Sequence, residues 1–317
     1  MVKREHHIGL IGAMLCVLAI IGCTPQNRAQ PQGSLPKATL TGSPRKTSTM
    51  EGTEAQIQET IISTDVTNAT SLGCDMDAGE VMALDYPGTA VARDIPVRIY
   101  LPPCYGQTNQ KYPAVYALHG YPFDETQMEE LGVISILDTE ISEERWMPFI
   151  LVMPFVPEPL FTRSDGGPGS YETELIEGLV PFIDENFETK DSALARAVVG
   201  ISRGGVWALE TAFTNPDIFN TVAVLSPSLS VNSARPPYDP VLLVRAGTEL
   251  PEHIMVTAGT GEPGFLVGIE ELIEAFELKN VSHYYLLTNG AHREEAWVEI
   301  IDDVMAFIAD RFSEDDV

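Results

Sequence analysis

The sequence predicts an α/β fold in which a doubly wound, mostly parallel sheet carries helices on both faces. Three observations carry that expectation. Short runs of strand character recur at 112–118, 148–153, 196–200, 221–225, 253–258 and 283–287, and the near-continuous apolar runs at 112–118 and 148–153 have the pattern of strands buried on both faces. Stretches with helical spacing separate most of them, at 124–141, 172–187, 204–214, 266–278 and 294–312. His119-Gly120, Ser202, Glu262 and His292 all fall just after the carboxyl ends of strands, where open parallel sheets bind ligands.

The chain divides by composition into three parts. Lys3 and Arg4 precede an apolar stretch at 8–22 that is too short to span a bilayer comfortably, which predicts a signal peptide over residues 1–22. Its end, Ile20-Ile21-Gly22-Cys23, resembles the bacterial lipobox, which implies that Cys23 is lipidated and becomes the new N-terminus. The remainder is then extracytoplasmic and lipid-anchored to the cell membrane. Residues 23–75 are rich in Thr, Ser, Gln, Pro and Gly and poor in aromatic residues, so they predict a flexible tether. Residues 76–317 hold the predicted catalytic domain.

Charge separates the same regions. Residues 1–50 carry six Lys/Arg and one acidic residue, leaving 13 basic and 45 acidic residues, net −32, for the rest of the chain. So acidic a body argues against nucleic acid as a partner. Outside the leader the cysteines are Cys74 and Cys104, an even pair in an exported chain, and a disulfide between them is expected. No Cys-x-x-Cys or His-Glu-x-x-His spacing occurs, and no metal site or cofactor is expected.

Taken in order, residues 96–101 alternate apolar and polar side chains as a strand does, and Pro102-Pro103-Cys104-Tyr105 makes a turn. The run at 112–118 ends in His119-Gly120-Tyr121-Pro122. Strand 196–200 leads into Gly200-Ile201-Ser202-Arg203-Gly204, a Gly-x-Ser-x-Gly sequence followed by helical spacing, which is the layout of a nucleophile elbow. A serine hydroxyl is a weak nucleophile, and a tight strand-to-helix turn lifts Ser202 to where a base can reach it.

Position selects the base. His6 and His7 lie in the leader, His253 and His283 begin strands, and His119 belongs with Gly120 in a loop suited to backbone donors. His292, in the loop after the last strand, remains. The loop after strand 253–258 is Gly259-Thr260-Gly261-Glu262-Pro263-Gly264, and Glu262 is its one carboxylate. The same loop matches Gly-x-Gly-x-x-Gly, but Pro263 occupies the phosphate turn and no acidic residue closes the next strand, so a dinucleotide site is not expected. Two backbone N–H groups, of Tyr121 and Arg203, are the expected oxyanion donors.

These pieces resemble the esterase family of α/β-hydrolases that includes feruloyl esterases, enterochelin esterases, S-formylglutathione hydrolase and the antigen 85 mycolyltransferases. The matching segments are Tyr-Leu-Pro-Pro at 100–103, Leu-His-Gly at 118–120, Val-Met-Pro at 152–154, Tyr-Glu-Thr-Glu-Leu at 171–175, Gly-Ile-Ser-Arg-Gly-Gly at 200–205 and Gly-Ala-His at 290–292. The resemblance implies an α/β-hydrolase fold with Ser202 as nucleophile, His292 as base, Glu262 as acid, and Tyr121 with Arg203 as oxyanion donors. Many relatives carry aspartate where this chain has Glu262. The implied activity is serine carboxylesterase action on an acylated sugar or feruloyl-polysaccharide ester. Two rival readings are an acyltransferase of the mycolyltransferase type and a surface binding lipoprotein without catalysis.

Overall fold

Eight strands form one sheet: β1 (Glu80–Pro87), β2 (Asp94–Leu101), β3 (Ala114–Leu118), β4 (Ile150–Pro154), β5 (Arg196–Ile201), β6 (Thr221–Leu225), β7 (His253–Gly259) and β8 (Tyr284–Thr288). Across the sheet they lie in the order β1-β2-β4-β3-β5-β6-β7-β8. The β1–β2 and β2–β4 pairings are antiparallel and the other five are parallel. The computed structural model describes residues 77–312 apart from 108, 163–165 and 233. The chain divides into two units, Met1–Thr67 and Asn68–Val317, and every described residue belongs to the second. The leader, the tether, Cys23 and Cys74 lie outside the described residues.

Nine α-helices join the described strands: α1 (Gln127–Glu130), α2 (Val133–Ser142), α3 (Tyr171–Glu174), α4 (Val180–Asn186), α5 (Arg203–Thr214), α6 (Pro240–Ala246), α7 (Pro263–Lys279), α8 (Glu294–Val298) and α9 (Ile301–Ala309). They cover both faces. Because side chains alternate along a strand, β5 sends Val198 into a core with Trp207 of α5 and Ile269 of α7, and sends Ala197, Val199 and Ile201 into a second core with Leu137 of α2 and Val304 of α9. Every residue of β3, β4, β5 and β6 is buried. Two-sided burial is why these strands were legible as continuous apolar runs rather than alternating ones. Among the central strands, each hydrophobic side chain removed from water contributes roughly 1.5–3 kcal/mol.

Three predicted helices are interrupted. The stretch expected over 124–141 splits into α1 and α2 around Gly132. That expected over 172–187 passes from α3 through a wider π-helical turn, Leu175–Leu179, into α4, whose second residue is Pro181. Proline lacks the N–H an α-helical ladder needs, and the wider turn accommodates it. The C-terminal helix breaks into α8 and α9 at Glu299-Ile300. Both β1 and α6 escaped the sequence reading. β1 is an edge strand with mixed exposure and no clean alternation, and α6 is a seven-residue helix in a long connection. Cys104 is disulfide-bonded, and the other three cysteines of the chain lie outside the described residues.

Candidate active site

β5 delivers Ser202 at a sharp turn into α5. Ser202 adopts φ 55°, ψ −112°, in the positive-φ region that L-residues avoid. Strand β6 and the segment that follows it hold it there. Its N–H donates to the Leu225 carbonyl at 2.8 Å, and its own carbonyl accepts from Ser228 N–H at 3.0 Å. The turn also needs its flanking glycines. A Cβ on Gly200 would run into the Gly204 carbonyl, and one on Gly204 into the Leu118 carbonyl of the adjacent strand.

The structure brings Ser202, His292 and Glu262 into one hydrogen-bonded line. His292 Nε2 lies 2.7 Å from Ser202 Oγ, and His292 Nδ1 lies 2.6 Å from Glu262 Oε2. The acid is almost completely buried. Burial by itself would raise the Glu262 pKa, but hydrogen bonds from His292, from Ser226 Oγ and from the Gly259 N–H outweigh it and hold the carboxyl below its ordinary value. An ionised carboxylate only accepts, so Nδ1 of His292 carries the proton and Nε2 is left to accept from the serine hydroxyl. Phe265 stacks on the imidazole with centroids 3.7 Å apart and planes 8° apart, and Trp297 meets it edge-on at 5.3 Å. Both contacts restrict the ring to the orientation that serves both hydrogen bonds.

The loop after β3 packs against the serine turn: a Cβ built on Gly120 would lie 3.2 Å from Ser202 Cβ. His119 shapes this loop from below. It is buried, accepts from Val156 N–H through Nε2 at 3.1 Å, and donates from Nδ1 to the Gly120 carbonyl at 3.0 Å. Burial keeps its pKa below the usual value, consistent with a neutral ring in a structural post. Gln127 Oε1 accepts from Gly120 N–H at 2.8 Å. That leaves the next residue, Tyr121, as the loop's contribution to the cleft. The Arg203 guanidinium lies over Trp207, its Cζ 5.0 Å from the ring centroid. The cleft has a volume of ≈ 610 Å³ and is lined by Ser202, His292, Arg203, Tyr121, Phe161 and Phe265 among others. Its aromatic walls suit a ligand with a flat or apolar part.

Each residue singled out from sequence within the described region therefore lies at this one end of the sheet, apart from Cys104. His253 and His283 sit at the opposite, amino end, beginning β7 and just preceding β8. Sequence reasoning missed Ser226, Phe265, Trp297, Ser228 and Gln127. Ser226 had a signal, since it directly follows β6 just as Ser202 follows β5. The others are placed by packing and carry no motif. Among the described residues, no group of three or more His, Cys, Asp or Glu side chains could hold a metal ion.

A strained serine between a parallel strand and a helix, on a sheet of this strand order, defines a protein of the α/β-hydrolase fold. The family model described as "Putative esterase" matches residues 88–308, and the chain belongs to that family. Among curated relatives, the endo-1,4-beta-xylanase/feruloyl esterase of Xylanibacter ruminicola is 26% identical over 239 residues, covering 70% of this chain and 30% of that protein. An esterase of Mycobacterium tuberculosis is 33% identical over 122 residues, covering 37% of this chain and 25% of the relative. The chain thus spans well under two thirds of these relatives. Solved structures share the fold. A ferulic acid esterase superposes with TM-score 0.65 at 20% identity, over 74% of this chain and 99% of that one. An S-formylglutathione hydrolase from Staphylococcus aureus gives 0.61 at 16% identity, over 73% and 99% of the two chains.

Proposed function

We propose that this protein is a serine carboxylesterase that hydrolyses an acylated-sugar or feruloyl-polysaccharide ester through a Ser202-His292-Glu262 triad, and that it works outside the cytoplasm on a lipid anchor at Cys23. The observation that carries the catalytic reading is the unbroken line from Ser202 Oγ to His292 at 2.7 Å and on to Glu262 at 2.6 Å. His292 Nε2 takes the hydroxyl proton as Ser202 Oγ attacks the ester carbonyl carbon. Glu262 stabilises the imidazolium so formed. The backbone N–H groups of Arg203 and Tyr121 receive the oxyanion of the tetrahedral intermediate. His292 then returns the proton to the departing alcohol, and the same groups activate water to release the acid from Ser202. These steps use groups of the chain and water alone.

The choice of substrate class is supported by the feruloyl esterases among the relatives and by the aromatic walls of the cleft. Export is supported by the leader, and by the disulfide at Cys104, a bond that persists in oxidising compartments. The test is a panel of p-nitrophenyl and feruloyl esters, assayed with and without added sugar alcohols. Release of free acid by the wild type and its loss in Ser202→Ala are expected; acyl transfer to the added alcohol in preference to water would replace the hydrolase with a transferase. For the anchor, the wild type should partition into detergent and Cys23→Ser should not. An unmodified Cys23 in the mature protein would refute it.

A further inference from the structure

The segment Tyr171-Glu172-Thr173-Glu174-Leu175 is one of those that carry the family resemblance, and the chemistry at Ser202 makes no use of it. Its first four residues form α3, which packs against the nucleophile helix α5. Tyr171 meets the Trp207 ring edge-on with centroids 5.0 Å apart. Three residues further along α5, the Glu210 carboxyl hydrogen-bonds to the carboxyl of Glu172. Both acids are buried, Glu172 at 4% and Glu210 at 1% exposed. Among the described residues, no N–H or hydroxyl donates to Glu172 Oε2 or to either oxygen of the Glu210 carboxyl. Glu174, the other acid of the segment, faces elsewhere and accepts from the N–H groups of Thr89 at 2.9 Å and Ala90 at 2.6 Å.

A hydrogen bond between two carboxyls needs a proton on one of them, because an ionised carboxylate only accepts. Two charged carboxylates in contact and cut off from water would also repel each other strongly. One shared proton removes both difficulties. Burial first, and then Glu172, push Glu210 up to about 11, so the proton resides on Glu210 at neutral pH. Two further charged groups face the pair. Asp239, the N-cap of α6, adds to the rise, and the Arg203 guanidinium opposes it. Arg203 is itself buried, and while burial lowers its pKa, Glu210 and Glu172 act to raise it.

We propose that Glu172 and Glu210 are positioning residues for the reaction: they share one proton, and the negative charge that remains on Glu172 steadies the Arg203 side chain, so that the Arg203 N–H stays aimed at the oxyanion. The proposal rests on the ester-hydrolase reading for the role of that N–H. A buried guanidinium that loses an opposing charge is destabilised where it stands. Arg203 lines the cleft, so its shortest way to water leads past the reacting ester. The oxyanion exists only beyond the ground state, and a misplaced donor therefore lowers kcat while leaving KM nearly unchanged. The two acids differ in what their amides do. Glu210→Gln still donates a hydrogen bond to Glu172 and keeps the charge of the pair, whereas Glu172→Gln added to it keeps the shape and removes the charge.

The experiment measures kcat and KM for p-nitrophenyl acetate at neutral pH in the wild type, Glu210→Gln and the double variant Glu172→Gln/Glu210→Gln, beside the infrared carbonyl band of a protonated carboxyl in the first two. The wild type should show that band and Glu210→Gln should lack it. Glu210→Gln should keep kcat within about twofold of wild type. The double variant should lose kcat by about tenfold at the same KM, a share of the roughly 100- to 1,000-fold that a whole oxyanion donor is worth. Packing alone would treat the two isosteric replacements alike. Should the double variant fail to fold, Glu172→Gln alone replaces it with the same expected loss. Equal kcat with and without the Glu172 charge, or no protonated-carboxyl band in the wild type, would overturn the proposal. If the wild type turns over no ester while its band is present and is lost in Glu210→Gln, the hydrolase reading fails and the positioning role falls with it, and the shared proton stands.

Discussion

Glu262 and Glu210 are both buried carboxyls, 3% and 1% exposed, yet the fold drives them in opposite directions. Glu262 sits where three donors converge: His292, Ser226 Oγ and the Gly259 N–H. It is held ionised, below its ordinary pKa. Glu210 lies in the middle of α5 beside the Glu172 carboxyl, and among the described residues no N–H or hydroxyl donor is directed at its carboxyl oxygens. Burial pushes its pKa up to about 11, the neighbouring Glu172 adds to the rise, and the Arg203 guanidinium only partly opposes it. Loss of water beside a second carboxyl favours the neutral acid; directed donors keep a buried carboxyl charged. The chain therefore has one buried carboxyl held ionised beside His292 and one pushed toward its neutral form within α5.

The largest test of the first region removes what the carboxylate serves. Ser202→Ala and His292→Ala should each lower kcat by about four orders of magnitude or more, with the double variant little worse than either. Steady-state kinetics that gave additive losses would mean the two side chains do not act as one unit. Next, Glu262→Gln keeps the shape and deletes the charge. It should reduce kcat by about 100-fold or more with KM nearly unchanged. Turnover close to wild type would remove Glu262 from the line.

A smaller effect distinguishes donors from mere burial. Ser226→Ala deletes one donor worth about 1 kcal/mol, so kcat should fall about three- to tenfold. The Glu262 pKa should rise, and activity should begin to fail on acidification at a higher pH than in the wild type. A pH–rate profile superimposable on that of the wild type would show that Ser226 contributes nothing to the charge of Glu262.

Stability measurements sharpen the contrast because the two groups have opposite signs of linkage. For Glu262 the folded pKa is depressed, so its stabilisation is present above the unfolded carboxyl value near ~4.3 and is lost as pH falls through the lower folded value. Glu262→Gln should thus cost more stability at pH 7 than at pH 3. For Glu210 the folded pKa is raised. Its burial is free of this penalty below ~4.3 and costs more as pH climbs toward 11. Glu210→Gln, neutral at every pH, should be close to wild type at pH 4 and progressively more stable than wild type as the pH rises to 8. Thermal unfolding of the two proteins across that range checks it; a difference that does not change with pH would mean that Glu210 is ionised in the folded protein.

Legibility in the sequence followed the same physics. Strands β3 to β7 were found because two-sided burial demands unbroken apolar runs. β1, a partly exposed edge strand, has no such run, whereas β8 at the opposite edge carries the run Tyr284-Tyr285-Leu286-Leu287 and was found despite its partial exposure. Ser202 could be placed from its flanking Gly200 and Gly204, since only glycine tolerates the close backbone approach there. His292 and Glu262 could be selected from their positions after strands. Phe265, Trp297 and Gln127 could not, because what they do depends on which loops meet above the sheet.

The sequence by itself determined the alternation of strands and helices and the end of the sheet at which the candidate residues collect, and it singled out the serine, histidine and glutamate that the fold brings into one hydrogen-bonded line. Those are consequences of local periodicity and of backbone shapes that few residue types can adopt. Only the tertiary structure decided that the Glu262 carboxyl is held below its ordinary pKa while that of Glu210 is pushed above it, and that Ser226, Phe265 and Trp297 gather around Glu262 and His292. Each of these depends on groups brought together from distant parts of the chain, and no pKa shift exists until they meet.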